Sequence, residues 1–419
     1  MSLSQYTSPP TSARTGTTGV LGSPKAAGYQ QNQSAPQHYP ALAHNITLQV
    51  ERLLPVRGDI MATPGMRVDA DTPIGRTLVP GQPRLFNLSE FYEIKPKEIA
   101  RLLVKKVNDR LTDGEVLAQR RGLGRRAFRA PFECIFSAFD EETGYISLTP
   151  VPKPFTLDAF VRGQVTETIP GMGVKIEVRA DYARGVFGLG GERHGVLRVL
   201  VSEANQSLEP ELVDQRSTNF IILGGSTVLA ETLERAIAVK VRGIIVGSIR
   251  EEELSKFLGY RQRSSLYRVG QNVWRFPADV TAGDIPLTLV VTEGFGSRPM
   301  ATRVFDMLTT HNGQEISLSG ATRLRRDPKR PEIIVPIQAN DALPSTSLNP
   351  TDQIPHVGSI VRLLNPSYVG VTARVVGLAS SHGRGSGAVG QLDRTAQVEV
   401  SGHRVSVPFN DIEVLEQGR

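Results

Sequence analysis

Two glycine-rich turns are the places in this chain where residue types and spacing could do chemistry. Leu223-Gly224-Gly225-Ser226-Thr227 follows the apolar run Phe220 to Leu223, and the turn from Thr292 to Arg298, T-E-G-F-G-S-R, follows another. Each precedes a stretch of helical spacing, and backbone N–H groups at the start of a helix favour anions. Gly224, Gly225, Ser226 and Thr227, with Glu293, Gly294, Gly296 and Arg298, are therefore candidates for a phosphate-sized anion in the crevice beyond the strand ends, within reach of Arg303. Neither turn is G-x-G-x-x-G or ends in G-K-[ST], so no nucleotide fingerprint is met. Glycine here also lets a helix pack close to a strand, and that alternative stands beside the ligand reading.

A second chemistry is cationic. Between Gln119 and Pro131 the chain places Arg120, Arg121, Arg125, Arg126 and Arg129 without one acid. The planar guanidinium fork suits phosphate oxygens, and such binding weakens with salt. The alternative is a solvated hairpin tip. A further basic run at 322–332 is interrupted by Asp327.

Constellations for catalysis are missing from the sequence, and we expect no catalytic residues, metal or cofactor. The seven histidines are scattered, with His194 alone beside glycines, Glu192 and Arg193. Glu141-Glu142 and Glu251 to Glu253 read as solvated faces, because an acid/base pair needs a shared cleft. The single cysteine, Cys134, excludes an intrachain disulfide and a cysteine metal cage and fits a reducing compartment. A net charge of +6 over 419 residues is compatible with an acidic partner but modest for that length. No run approaches the roughly 20 apolar residues that span a bilayer, and the N-terminal stretch lacks a charged start followed by an apolar core. The expectation is a cytoplasmic prokaryotic protein with no membrane contact.

The elements that must position these residues fall into five regions. Residues 1–45, rich in Ser, Thr, Gly, Pro and Gln, cannot bury enough apolar surface to offset the entropy of ordering and read as a disordered tail. Residues 46–200 read as an all-β unit of short strands and Gly-Asp or Asn-Asp turns. Residues 201–340 read as an α/β domain, a βαβ unit with strands at Phe220 to Leu223 and Gly243 to Val246. Its helix is capped by Ser226 or Thr227 and carries Leu229, Leu233, Ala236 and Ile237 at helical spacing. A short helix in EEELSKFLGY, a third buried strand in IPLTLVVTEGFG and a helix in RPMATRVFDMLTTH follow. Residues 341–354 are a proline-rich linker, and 355–419 a small β-barrel.

Two stretches resemble known families. In Val357 to Val376, VGSIVRLLNPSYVGVTARVV, strand, glycine turn and strand follow one another as in an SH3-like barrel. Pro366, Ser367, Tyr368, Gly370, Val371, Arg374 and Val375 match positions of the KOW motif of ribosomal and transcription-elongation proteins. Ala373 stands where that family's characteristic glycine is expected, which bears on nucleic-acid binding more than on fold. The resemblance implies polyanion contact through Arg362, Tyr368 and Arg374, and the hairpin turned at Ser401-Gly402 would close the barrel. Leu102 to Gln119, LLVKKVNDRLTDGEVLAQ, is similar to the barrel-sandwich hybrid, or biotinyl/lipoyl-like, fold, with Gly114, Glu115, Leu117 and Ala118 in family-like places. DIMATPGMRVDADTPIG would be its matching half-unit. Lys105-Lys106 reads as lying inside a strand, so no lysine is offered at a hairpin tip for a prosthetic group.

The fold class expected is thus multidomain α+β: an all-β barrel-sandwich hybrid, a central α/β unit and a C-terminal SH3-like β-barrel. The function expected is a non-enzymatic adaptor or scaffold with a protein assembly partner, contacting RNA, DNA or another polyanion through basic loops and the barrel. The alternative is an enzyme or sensor holding a phosphorylated small molecule in the α/β crevice.

Overall fold

A computed structural model describes residues 42–120, 126–262, 267–268, 274–275, 285–322, 329–337, 354–365, 368–380, 394–400 and 402–416. Of the tail expected over residues 1–45, residues 1–41 lie outside them, whereas 42–45 belong to the strand Leu42–Leu53 and bury Ala43; most of the 341–354 linker, Arg121, Arg125, Pro366 and Ser367 also lie outside. The described chain is mostly β with few helices, in the α+β class.

One large sheet organises the molecule. Its strands are β1 (Leu42–Leu53), β2 (Gly163–Ile169), β3 (Gly173–Arg184), β4 (Phe187–Leu189), β5 (Glu192–Val199), β6 (Phe220–Leu223), β7 (Gly243–Ile249), β8 (Thr288–Phe295), β9 (Glu315–Ser319) and β10 (Glu332–Pro336). They run in the order β4-β8-β7-β6-β5-β9-β10-β3-β2, with the short strand Arg67–Val68 beyond β2, while β1 covers the other edge of β3. β5, β6, β7 and β8 are mutually parallel. The sequence shows why: β7 is buried along its whole length, as a strand covered on both faces must be. Helices α1 (Ala230–Ala238) and α3 (Thr302–Thr310) bury Leu233 and Ala236, and Phe305 and Leu308, against this core. A further helix, α2 (Glu251–Gln262), kinks at Gly259.

Because β3 and β5 belong to the same sheet as β6, the sheet runs through position 200, which the sequence reading took as a domain boundary. A real separation lies elsewhere. Strands Pro73–Val79 and Lys153–Asp158 pair as a stem, Val79 opposite Lys153, and residues 84–150 between them form an inserted module with its own core of Leu88, Tyr92, Ile99, Leu111, Leu117 and Phe136. Its four-stranded sheet runs Arg84–Asn87, Tyr145–Pro150, Cys134–Phe139, Arg110–Leu111.

The two expected half-units of a barrel-sandwich hybrid do not come together. Ile60, Val68 and Ile74 pack in the core beneath β1 to β3, whereas Leu111 and Leu117 pack in the inserted module. Lys105-Lys106 also stands in a bend rather than a strand, since only Leu103 bridges to Ala118 in that stretch.

The C-terminal module is a five-stranded antiparallel sheet of β11 (Ile360–Leu363), β12 (Thr372–Ser380), β13 (Arg394–Val400), β14 (His403–Pro408) and β15 (Ile412–Glu416), in the order β14-β13-β12-β11-β15. Alternating Val361, Leu363, Ala373, Val375, Ala396 and Val398 fill its interior. Gly402, with φ of 82°, turns the expected β13–β14 hairpin.

Candidate functional site

The crevice at the C-terminal ends of the parallel strands is shaped by a bulge. Between β7 and β8 the register passes from Val246 opposite Val291 to Ser248 opposite Gly294, so Thr292 and Glu293 share the place of Gly247. The extra residue redirects Glu293, as bulges do beside functional sites. Gly247 must stay bare, because a Cβ there would lie 2.6 Å from the Met300 nitrogen and 2.7 Å from the Arg298 carbonyl. Ser248 then links the two glycine turns: its hydroxyl accepts the Arg298 N–H at 2.8 Å and lies 2.9 Å from the Ser226 carbonyl. The two turns proposed from sequence do meet in one place.

What fills that place is the chain itself. α1 begins at Ala230, later than expected, and its N-cap Leu229 makes no side-chain hydrogen bond. The Ala230 N–H donates instead to the Glu253 carboxylate at 2.9 Å, which corrects both the expected Ser226 or Thr227 cap and the reading of Glu253 as solvated. That bond, then the Lys256 ammonium, hold the Glu253 carboxyl below the usual carboxylate range despite its burial. At α3 the Ala301 N–H donates to Glu293 at 3.0 Å. Beside Gly225, the carbonyls of Gln206 and Glu203 approach so closely that a Cβ would stand 2.3 and 2.6 Å away, and the Ser226 N–H is bonded to Gln206. Both helix starts are therefore answered by internal carboxylates.

The C-terminal module closes the other side. Val369 enters the hydrophobic core of the large sheet, and Gly370, at φ 79°, lies where a Cβ would be 2.9 Å from the Glu293 carbonyl and 3.1 Å from the Gly294 Cα. Arg298 donates to the Gly370 carbonyl at 2.8 Å. Behind this turn, Arg362 pairs with Glu293 and, at 3.2 Å, with Glu413. Arg330 grips Glu413 with both nitrogens, at 2.7 and 3.3 Å, and donates to the Gly185 carbonyl. Burial pushes the Glu413 carboxyl up, but Arg330 and Arg362 outweigh it and hold it below the ordinary range. Four charged side chains from the sheet and the C-terminal module thus form one buried chain, Glu293-Arg362-Glu413-Arg330.

The expected polyanion residues divide accordingly. Arg362, at 6% exposed, faces carboxylates of its own chain, and Tyr368 is half-buried in the C-terminal core. Arg374 is exposed, in register with Glu399, which is in register with Arg404. In the inserted module Arg120 is exposed, Arg126 lies 4.4 Å from the Phe91 ring centre and 3.8 Å from Glu93, and Arg129 donates to the Gly114 carbonyl. His194 sits within β5, and its carbonyl accepts from Arg242.

Sequence reasoning missed Glu413 and Glu253, since a buried carboxylate in an alternating strand or an acidic helix start looks like a solvated one. It also missed a cluster in which the Asp181 carboxylate accepts the Asn45 N–H at 2.7 Å and faces His311 at 2.8 Å and His44 at 3.6 Å, tying β1 to the end of α3. Among the described residues no group of three or more His, Cys, Asp and Glu could hold a metal ion, and no helix is long and apolar enough to cross a membrane. Comparison with family models, curated proteins and solved structures finds no match to the chain.

Proposed function

We propose that this protein is a non-enzymatic adaptor of a larger assembly. The observation that carries this reading is the self-filled crevice: the helix starts that would hold an anion are capped by Glu253 and Glu293, and the turn containing Gly370 lies on Gly294. The Thr227 hydroxyl and the Arg362 Nε are buried without a partner, but a site whose helix starts and carboxylates already answer one another stabilises a fixed arrangement of modules more readily than it binds a small ligand.

In this reading the C-terminal sheet is an SH3-like, KOW-type barrel whose inward arginine docks it and whose outward arginines meet a partner. The partner is a polyanion, RNA being the class that the KOW resemblance favours. Arg374 and Arg404 on the barrel, with Arg120, Arg126 and Arg129 on the inserted module, supply the exposed guanidinium groups. Titration of full-length protein with single-stranded and duplex RNA and DNA at low and moderate salt tests it. Binding should fall steeply with salt and weaken on Arg374→Gln or on replacement of Arg120, Arg126 and Arg129 by Gln. No binding at low salt would remove the polyanion, and a tagged protein that recovers no partner from extract would remove the adaptor.

A further inference from the structure

The inserted module carries a sheet edge that the remainder of the described chain leaves uncovered. Among the described residues Arg84–Asn87 pairs only with Tyr145–Leu148, and the strand ends where Asn87 caps a short helix through its side chain. The Leu88 N–H points inward, donating to the Gly144 carbonyl at 3.0 Å. By the alternation of an antiparallel ladder, Leu85 then directs its N–H and C=O outward and Asn87 its N–H, while the Asn87 carbonyl, as the N-cap, accepts the first hydrogen bond of the helix. Leu85 is 67% exposed and Tyr145 is 42% exposed on the outer face of the same sheet. Together with Ala138, Phe139 and Ser147 they line a groove of about 350 Å³ that ends at Asp140 and Thr143. Natural edges are ordinarily protected by charge, proline or cover, and the centre of this one has none of these among the described residues.

We propose that a second copy of this chain pairs along Arg84–Asn87, antiparallel, about a two-fold axis perpendicular to the sheet and passing through Phe86. That axis keeps each outer face on the same side, so Leu85 must stand opposite an outward-facing residue, and Asn87 of the other copy meets the condition. The register lets the Asn87 N–H of each copy donate to the Leu85 carbonyl of its mate, two backbone hydrogen bonds across the axis, and brings Leu85 of each copy to the Tyr145 end of its mate's groove.

Charge selects a second copy rather than an unrelated strand. An isologous interface must be self-complementary. This edge has the exposed Arg84 at one end and the exposed turn Asp140-Glu141-Glu142 at the other, where Gly144 adjoins Leu88. Antiparallel pairing places each cation beside the acidic turn of the other copy. The Asp140 carboxylate is held below its usual range by the Thr143 hydroxyl and the Glu142 N–H, so the turn stays anionic well into mild acid. A four-residue edge and a shallow groove make a small interface, which sets the expected affinity in the micromolar range.

The test is analytical ultracentrifugation of the full-length chain from about 1 to about 200 µM, the span over which a micromolar dimer forms. Wild type should pass from monomer to dimer. Leu85→Asp should raise the dissociation constant about tenfold or more while leaving the melting temperature of the monomer unchanged, as expected for an exposed residue at a central contact. Arg84→Glu should weaken the dimer, and adding Glu141→Arg and Glu142→Arg to it should restore association. A monomer throughout overturns the proposal and leaves the edge to a different chain. So does a dimer indifferent to Leu85→Asp, or a charge swap that fails to restore pairing.

Discussion

Two small β modules are appended to the large sheet, and they are fixed to it in different ways. The C-terminal module is docked: Val369 enters the sheet's core, Gly370 touches Gly294, and the buried Glu293-Arg362-Glu413-Arg330 chain closes the contact. The inserted module hangs from two strands of a three-stranded sheet completed by Asp59–Ile60, keeps a separate core and, among the described residues, leaves the Arg84–Asn87 edge open. Buried ion pairs demand one arrangement, because each charge removed from water must keep its partner. The docked module is thus geometrically committed, whereas the stem holds the other by chain connection and leaves its surface for contacts.

The largest break in that comparison comes from Glu413→Ala. It strands Arg330 without a carboxylate and leaves Arg362 with Glu293 alone, and should cost about 3–5 kcal/mol by denaturant unfolding, with hydrogen exchange rising first in β11 and β15. The acid form of the same test follows from its depressed pKa. The stabilisation is fully present above the ordinary glutamate value and lost as pH falls through the lower folded value, so the docked module should loosen in acid before the inserted module does.

Next come paired glycines. Gly370 and Gly114 have φ values of 79° and 77°, yet a Cβ on Gly114 meets nothing within 4 Å. Gly114→Ala should therefore cost only the left-handed strain, about 1–2 kcal/mol. Gly370→Ala should cost more, because the two modules' backbones must also move apart.

Tyr92→Phe sharpens the other side of the comparison. The Tyr92 hydroxyl donates to the Ala118 carbonyl at 2.6 Å and accepts the Phe128 N–H at 2.9 Å, inside the inserted module's core. Its loss should cost about 1–2 kcal/mol. Exchange should rise within residues 84–150 and stay unchanged in the C-terminal sheet. The smallest effect is that of Leu85→Ala on the isolated monomer, within about 0.5 kcal/mol in thermal melts, since the side chain is exposed.

The β-αβ pattern around Phe220–Leu223 and Gly243–Ile249, the helices of EEELSKFLGY and RPMATRVFDMLTTH, and the Ser401-Gly402 hairpin were all legible in local order. Each is written by a run of neighbouring residues: branched apolar strands, helical spacing, a glycine where φ must be positive. The meeting of the two glycine turns was legible too, because strand ends in a parallel sheet share one side. The expected pairing of 59–75 with 102–119 was not realised, since similar turn-strand-turn rhythm says nothing about which core a strand joins.

The sequence by itself therefore determined the β-αβ elements, the helices that follow them and the hairpin at Gly402, and it offered glycines and arginines of the types that can contact anions. Only the tertiary structure decided which of those groups are already answered. Glu253 is 23 residues from Ala230, and Arg362 is 69 from Glu293. Local sequence fixes which groups a segment offers, but whether a buried charge or a helix start has a partner depends on residues that only folding brings within hydrogen-bonding distance.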